Sequence, residues 1–367
     1  MRSLIKPTLI VVFGLLIFFG ARLLLAPSKA EFTQETSRIK QSETRGTKDT
    51  LAQETYVSEV IISAPWADTN LAYGGRESPS GEFGYAIVDQ RFVGPSGFAV
   101  APNGDIYIAD QFNDRIQRFN SEGDFISSIP ISGGIVDMCI DRDDNLYLLK
   151  YGYRADWEKV SEHTVGRVVK CDQTGNVLRI YPVFTGVAAT ANFVYRDKSG
   201  RIFMACPGLG PYQVGTSEET FSLEQQESSE MDGFLGSNSA PLDENLYFQA
   251  SPMSKAPHNR FFRYYAVSFD GDTVHVYESS KGIRGSFFGC DEELNIYVGS
   301  HSGMRKYNLN GDLVAGWKFG CEKPYFEVYD FGGSRGRLLD EKGNLYVLCY
   351  SESEEGGIKV IKWYRQE

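Results

Sequence analysis

Histidine is nearly absent from this chain of 367 residues, which has 4, and cysteine is sparse, at 6. No His-x-x-x-His or Cys-x-x-Cys spacing occurs, so a metal centre or haem attachment built on a local motif is excluded. A basic excess is lacking as well. The chain sets 37 Lys and Arg against 48 Asp and Glu, a formal net charge of −11. The clustered cations that neutralise phosphates are therefore missing, and nucleic acid is not an expected partner. No Gly-x-Ser-x-Gly elbow, Walker loop or dinucleotide fingerprint stands in its proper context, so no cofactor is expected. Aromatics are plentiful, with 24 Phe, 21 Tyr and 4 Trp, and a chain so rich in them is not disordered throughout.

Long apolar runs are confined to the N-terminus. Residues 1–6 form a basic stub carrying Arg2 and Lys6, and residues 7–26 are apolar apart from Arg22. Twenty helical residues span about 30 Å, the thickness of a bilayer's hydrocarbon core. Arg22 lies near the end of the run, where its side chain can snorkel to the headgroups. The stub should stay in the cytoplasm and the rest of the chain should be exported. Two readings of the segment remain: a retained signal anchor, which Leu23, Leu24 and Leu25 extend, or a signal peptide cleaved after Ser28-Lys29-Ala30. The retained anchor, a single-pass transmembrane helix, is favoured. Residues 27–56 mix both charge signs with few large apolar side chains and read as a flexible tether.

Residues 57–367 are organised by a repeat. A turn, then Asn, Asp or Arg, then Leu or Ile, then an aromatic and an apolar run recurs six times. With Ile106, Leu146, Ile202, Leu246, Ile296 and Leu345 as markers, the steps are 40, 56, 44, 50 and 49 residues. Those lengths suit four-stranded blades with variable loops. The first unit reads as four strands, Gly97–Ala101, Asp105–Ala109, Arg115–Phe119 and Phe125–Ile129, joined by Gly-containing turns. Glu244–Gln249 coincides with a viral protease's recognition string, but it falls where the fourth repeat requires a strand. The last unit stops one strand short, while residues 57–63 form a strand with no blade of its own. Pairing the two would close the ring, with Val60, Ile61 and Ile62 stabilising it. The expected fold is all-β, a six-bladed β-propeller preceded by the N-terminal transmembrane helix.

The stretch from Gly94 to Phe119 resembles an NHL repeat. It carries Gly94-Pro95 before the inner strand, Tyr107-x-x-Asp110 in the second, and Asn113-x-Arg115-Ile116-x-x-Phe119 in the third. The other units keep only the second-strand core. The resemblance implies a six-bladed propeller with mostly binding or scaffold roles, and a minority of lyases and lactonase-like enzymes on related propellers.

Candidate chemistry is thin. His163, His258 and His301 fall in loops between second and third strands, where three imidazoles could hold zinc, though solvent-exposed loop histidines are the simpler reading. Arg284, Arg335 and Arg337 stand in Gly-rich approaches to inner strands and could bind a carboxylate or phosphate; pairing with an Asp of the adjacent blade is the competing reading. Asp110, Asp137, Asp141 and Asp291 recur near strand ends, where turn capping explains most of them better than calcium or magnesium does. Cys139, Cys206, Cys290 and Cys349 lie in or at the end of inner strands, and mostly unpaired, buried cysteines are expected. Residues 217–243, rich in Glu and Ser, lengthen the third unit. The functional expectation is a membrane-anchored, extracytoplasmic scaffold or accessory subunit that binds a protein partner. The alternative is an exported metal-dependent enzyme of lactonase or lyase type.

Overall fold

The computed structural model describes residues 54–70, 80–88, 91–131, 134–150, 167–181, 193–196, 199–205, 211–220, 246–252, 262–268, 273–277, 283, 286–300, 303–318, 325–327, 337–340, 342–353 and 355–366. All belong to one unit, Thr50–Glu367. The expected membrane helix, residues 7–26, lies outside them. Among the described residues no helix is long and apolar enough to cross a membrane.

The fold is an all-β propeller. Strands β1 (Tyr56–Asn70), β2 (Phe83–Val88) and β3 (Arg91–Val93) come first. A first sheet follows, of β4 (Phe98–Val100), β5 (Ile106–Asp110), β6 (Arg115–Phe119) and β7 (Phe125–Pro130). The second holds β8 (Ile135–Ile140), β9 (Leu146–Lys150), β10 (Arg167–Cys171) and β11 (Val177–Tyr181). The third holds β12 (Phe193–Arg196), β13 (Arg201–Ala205) and β14 (Pro211–Thr216), the fourth β15 (Leu246–Pro252), β16 (Phe262–Ser268) and β17 (Thr273–Tyr277). The fifth holds β18 (Ser286–Cys290), β19 (Ile296–Ser300), β20 (Gly303–Tyr307) and β21 (Leu313–Trp317). Consecutive strands pair antiparallel within these five sheets, as hairpin turn chemistry requires.

The last unit departs from the expected four-stranded blade. Strands β22 (Tyr325–Glu327), β23 (Arg337–Leu339), β24 (Leu345–Ser351) and β25 (Gly357–Arg365) join β1, β2 and β3 in a seven-stranded sheet. Both β22 and β23 pair with β24, so its inner partner comes in two pieces. Strand β1 runs antiparallel to β25 from Tyr56↔Arg365 to Pro65↔Gly357, then turns to pair in parallel with β2 at Trp66↔Phe83. A bulge between Val60 and Ile62 sets which side chains face inward. Beyond it Ile62, Ala64 and Trp66 are buried with period two. Val60, expected among the stabilising residues, is 53% exposed.

The apolar clusters lie between neighbouring sheets, where each sheet covers the next. One joins Phe98, Ile106 and Ile108 of the first sheet to Ile62, Phe83, Leu348 and Val360 of the seven-stranded sheet. Others join the first sheet to the second, and the second to the third. Five-residue turns, in which the first residue's amide bonds the fifth residue's carbonyl, recur at Asn120–Asp124, Asp172–Asn176 and Asn308–Asp312. The fourth residue has positive φ, as at Gly123 (91°). A Cβ at Gly123 would overlap the Ile61 carbonyl oxygen, so the turn of the first sheet seats directly on β1. Deleting residues 57–63 should therefore abolish the cooperative thermal transition followed by circular dichroism; an unchanged melting temperature would contradict this closure.

Candidate functional site

The second-strand repeat marks a cassette of four side chains. In the second sheet the Asp141 carboxylate accepts the Asp143 amide at 2.9 Å, the Asn145 amide at 2.8 Å, the Asn145 side-chain amide at 3.0 Å and the Tyr147 hydroxyl at 3.2 Å. Lys170, directly opposite Tyr147 on β10, sits 5.4 Å from the ring centroid and 3.8 Å from Asp141. The fifth sheet repeats this with Asp291, Asn295, Tyr297 and Lys306, the lysine 3.2 Å from Asp291. The seven-stranded sheet repeats it with Asp340, Asn344, Tyr346 and Lys362. A carboxylate has about four lone-pair sites, and in Asp141 and Asp291 protein donors occupy them. These groups order turns and pair with the lysine of the neighbouring strand.

The first sheet holds a variant. Ala101 stands where the others have Asp, and the wholly buried Tyr107 hydroxyl has no hydrogen-bond partner among the described residues. Burial pushes it up to about 12. Arg118, opposite Tyr107 and 5.4 Å from its ring centroid, pairs instead with Asp105 at 2.5 Å.

Asp110 forms a second centre. Its buried carboxylate accepts the Gly84 amide at 2.9 Å, Asn113 at 2.9 Å and the Arg115 Nε at 2.8 Å. Arg115 and Gln117 in turn donate to the Glu82 carbonyl at 2.7 and 2.6 Å. Burial holds the Asp110 carboxyl above the usual range despite the Asn113, Gly84 and Arg115 contacts. The cluster clamps the segment before β2 onto the first sheet. Asp137, also buried, accepts the Val194 amide at 2.9 Å and so ties β8 to β12.

That clamp is built from the Asp-x-x-Asn-x-Arg signature of the stretch. Residues 92–119 match the family model of the NHL repeat. Comparison with curated proteins finds no match. Among solved structures, the chain is similar to a gluconolactonase from Xanthomonas campestris, with 11% identity, a TM-score of 0.48, and coverage of 86% of this chain and 91% of that one. It is similar to a streptogramin B lyase at 10% identity and a TM-score of 0.44, covering 85% and 98%. It is also similar to a virginiamycin B lyase from Staphylococcus aureus at 11% identity and a TM-score of 0.39, covering 72% and 83%. In the matched segment, Asp110, Asn113 and Arg115 bond to one another and to the backbone around β2.

The histidines 163, 258 and 301 and the arginines 284 and 335 lie outside the described residues, and of Arg337 only the backbone is described, as the start of β23. The described cysteines depart from expectation in part, since Cys139 and Cys290 are only partly buried. Cys139, Cys171 and Cys290 carry thiols, the Cys171 thiol pushed up to about 11 by burial, whereas Cys349 is in a disulfide. Sequence reasoning also missed Glu54 and Tyr56, assigned to the tether. Glu54 bonds Lys306 at 3.0 Å and Arg365 at 3.2 Å, while Tyr56 bonds Tyr297 at 3.0 Å and stacks on Trp317 at 3.9 Å. Their partners lie 241 to 311 positions away, so no local pattern signals them.

Burial opposes ionisation of Asp141, but hydrogen bonds from Asn145, Asp143 and Tyr147 outweigh it and hold the carboxyl below its ordinary value. Hydrogen bonds from Thr174 and Asn176 bring Asp172 down to about 2. Depressed carboxyls stabilise the fold above the unfolded value of about 3.9, and the contribution is lost as pH falls through the folded values. Melting temperature should thus fall steeply below about pH 4, and Asp141→Asn should lower it at neutral pH while flattening the acid slope. An acid slope identical to that of the parent protein would contradict the assignment.

Proposed function

We propose that this chain is a non-catalytic propeller held by its N-terminal segment at the outer side of the cytoplasmic membrane, where it docks a protein partner in an envelope complex. The observation that carries the reading is the fate of the polar side chains. The described cassette carboxylates and the Asp110 cluster bond to turns, neighbouring strands and cations of the fold itself, which supports a structural role for these groups and a surface-based function. The basic stub and apolar run of residues 1–26 support membrane attachment. The Cys349 disulfide supports export, because such bonds persist outside the reducing cytoplasm. Within this reading the seven-stranded sheet serves as the sixth blade.

Purification of the full-length protein from its native membrane in mild detergent, followed by mass, composition, N-terminal and metal analysis, tests the proposal. The expected result is a stoichiometric protein partner with residues 1–26 retained. A lone protein carrying tightly bound metal would overturn it in favour of the exported lactonase- or lyase-type enzyme.

A further inference from the structure

Outer strands of this propeller differ in what covers them. The edge of β21 gives its Val314 carbonyl to the Glu54 amide, and His275 of β17 bonds the Leu309 carbonyl of the next sheet at 2.7 Å. Strand β7 ends in Pro130, which has no amide to offer another strand. Among the described residues, strand β11 has none of these protections. It is the last strand of its sheet, and among the described residues its backbone pairs only with β10. Its side chains Val177, Leu178 and Ile180 are 58, 53 and 52% exposed, the most apolar exposure of any described outer strand of the five hairpin sheets. Such an edge is a template for another strand.

The charge on β11 selects the kind of strand. Arg179 stands directly opposite Lys170, so two cations face each other across the ladder. Lys170 is engaged by Asp141 and by the Ser217 carbonyl, whereas Arg179 has no ion pair among the described residues. A second copy of the chain pairing antiparallel about the centre of β11 would set Arg179 against itself, which is unfavourable. An acidic side chain opposite Arg179 would offset both cations.

Resting on the partner-binding reading above, we propose that β11 is the docking edge of this propeller: an extended segment of a partner protein adds to it as a further antiparallel strand. Apolar side chains of that segment cover Val177, Leu178 and Ile180, and an acidic residue faces Arg179. Backbone hydrogen bonds supply the register, and the Arg179 pairing supplies the selection.

The probes are two labelled, blocked heptapeptides that alternate valine and threonine, one with glutamate at its centre and the other with lysine. Fluorescence anisotropy on the full-length protein in detergent should show the glutamate peptide binding about fivefold tighter. Hydrogen–deuterium exchange should show protection over residues 177–181, and Arg179→Glu should reverse the preference. Binding without protection of 177–181, an unchanged preference in Arg179→Glu, or self-association of the protein through 177–181 would overturn the proposal. A co-purified partner whose crosslinks avoid 177–181 would overturn this docking edge while leaving the scaffold reading standing.

Discussion

A tyrosine hydroxyl on the second strand of a sheet must be buried and must still find an acceptor, and much of this propeller follows from that requirement. A buried hydroxyl without a partner costs about 1–3 kcal/mol. Tyr147, Tyr297 and Tyr346 meet the requirement with the aspartate that opens the preceding turn, 3.1–3.4 Å away. The same carboxylate accepts the amides two and four residues on, which fixes the turn and therefore the pairing of first and second strands. The cation over each tyrosine ring is its cross-strand neighbour on the third strand, so the register of the second and third strands is fixed as well. One cluster of side chains thus ties three strands.

The next layer of order is between sheets. Tyr181, Tyr277 and Trp317 occupy the last position of β11, β17 and β21, and each reaches forward. Tyr181 and Tyr277 donate to the Thr216 and Leu294 carbonyls of the following sheet, and Trp317 stacks on Tyr56. At the junction with the seven-stranded sheet, residues from the start of the unit therefore do what consecutive strands do elsewhere. Tyr56 also bonds the Tyr297 hydroxyl, and Glu54 joins Lys306 to Arg365. The cassette of the fifth sheet is completed by residues 241 and 252 positions away in sequence, in the Tyr56–Tyr297 and Glu54–Lys306 pairs.

Legibility in the sequence follows the range of the interactions. The repeat of Leu or Ile followed by Tyr, with Asp or Asn before it, is local chemistry, and strands β5, β9, β13, β15, β19 and β24 begin at or one residue before their markers. The pairing of β1 with β2 was not legible, because it depends on where Gly84 and Glu82 meet the Asp110 cluster. The split of the inner partner of β24 into β22 and β23 was hidden for the same reason. At the candidate site, turn capping by Asp141 and Asp291 could be anticipated from the Asn that follows each. The open edge of β11 could not be, since Val-Leu-Arg-Ile-Tyr reads as a buried strand unless its neighbours are known. Nor could Tyr107, whose hydroxyl has no hydrogen-bond partner among the described residues and whose local sequence matches the others except for Ala101.

Tyr107 is the natural control for the central claim that the aspartate–tyrosine bond organises each sheet. Equilibrium unfolding of four single variants, Tyr147→Phe, Tyr297→Phe, Tyr346→Phe and Tyr107→Phe, tests it most directly. The account predicts a loss of about 1 kcal/mol for each of the first three, and an unchanged or more stable protein for the fourth. A Tyr107→Phe variant as destabilised as the other three would contradict it.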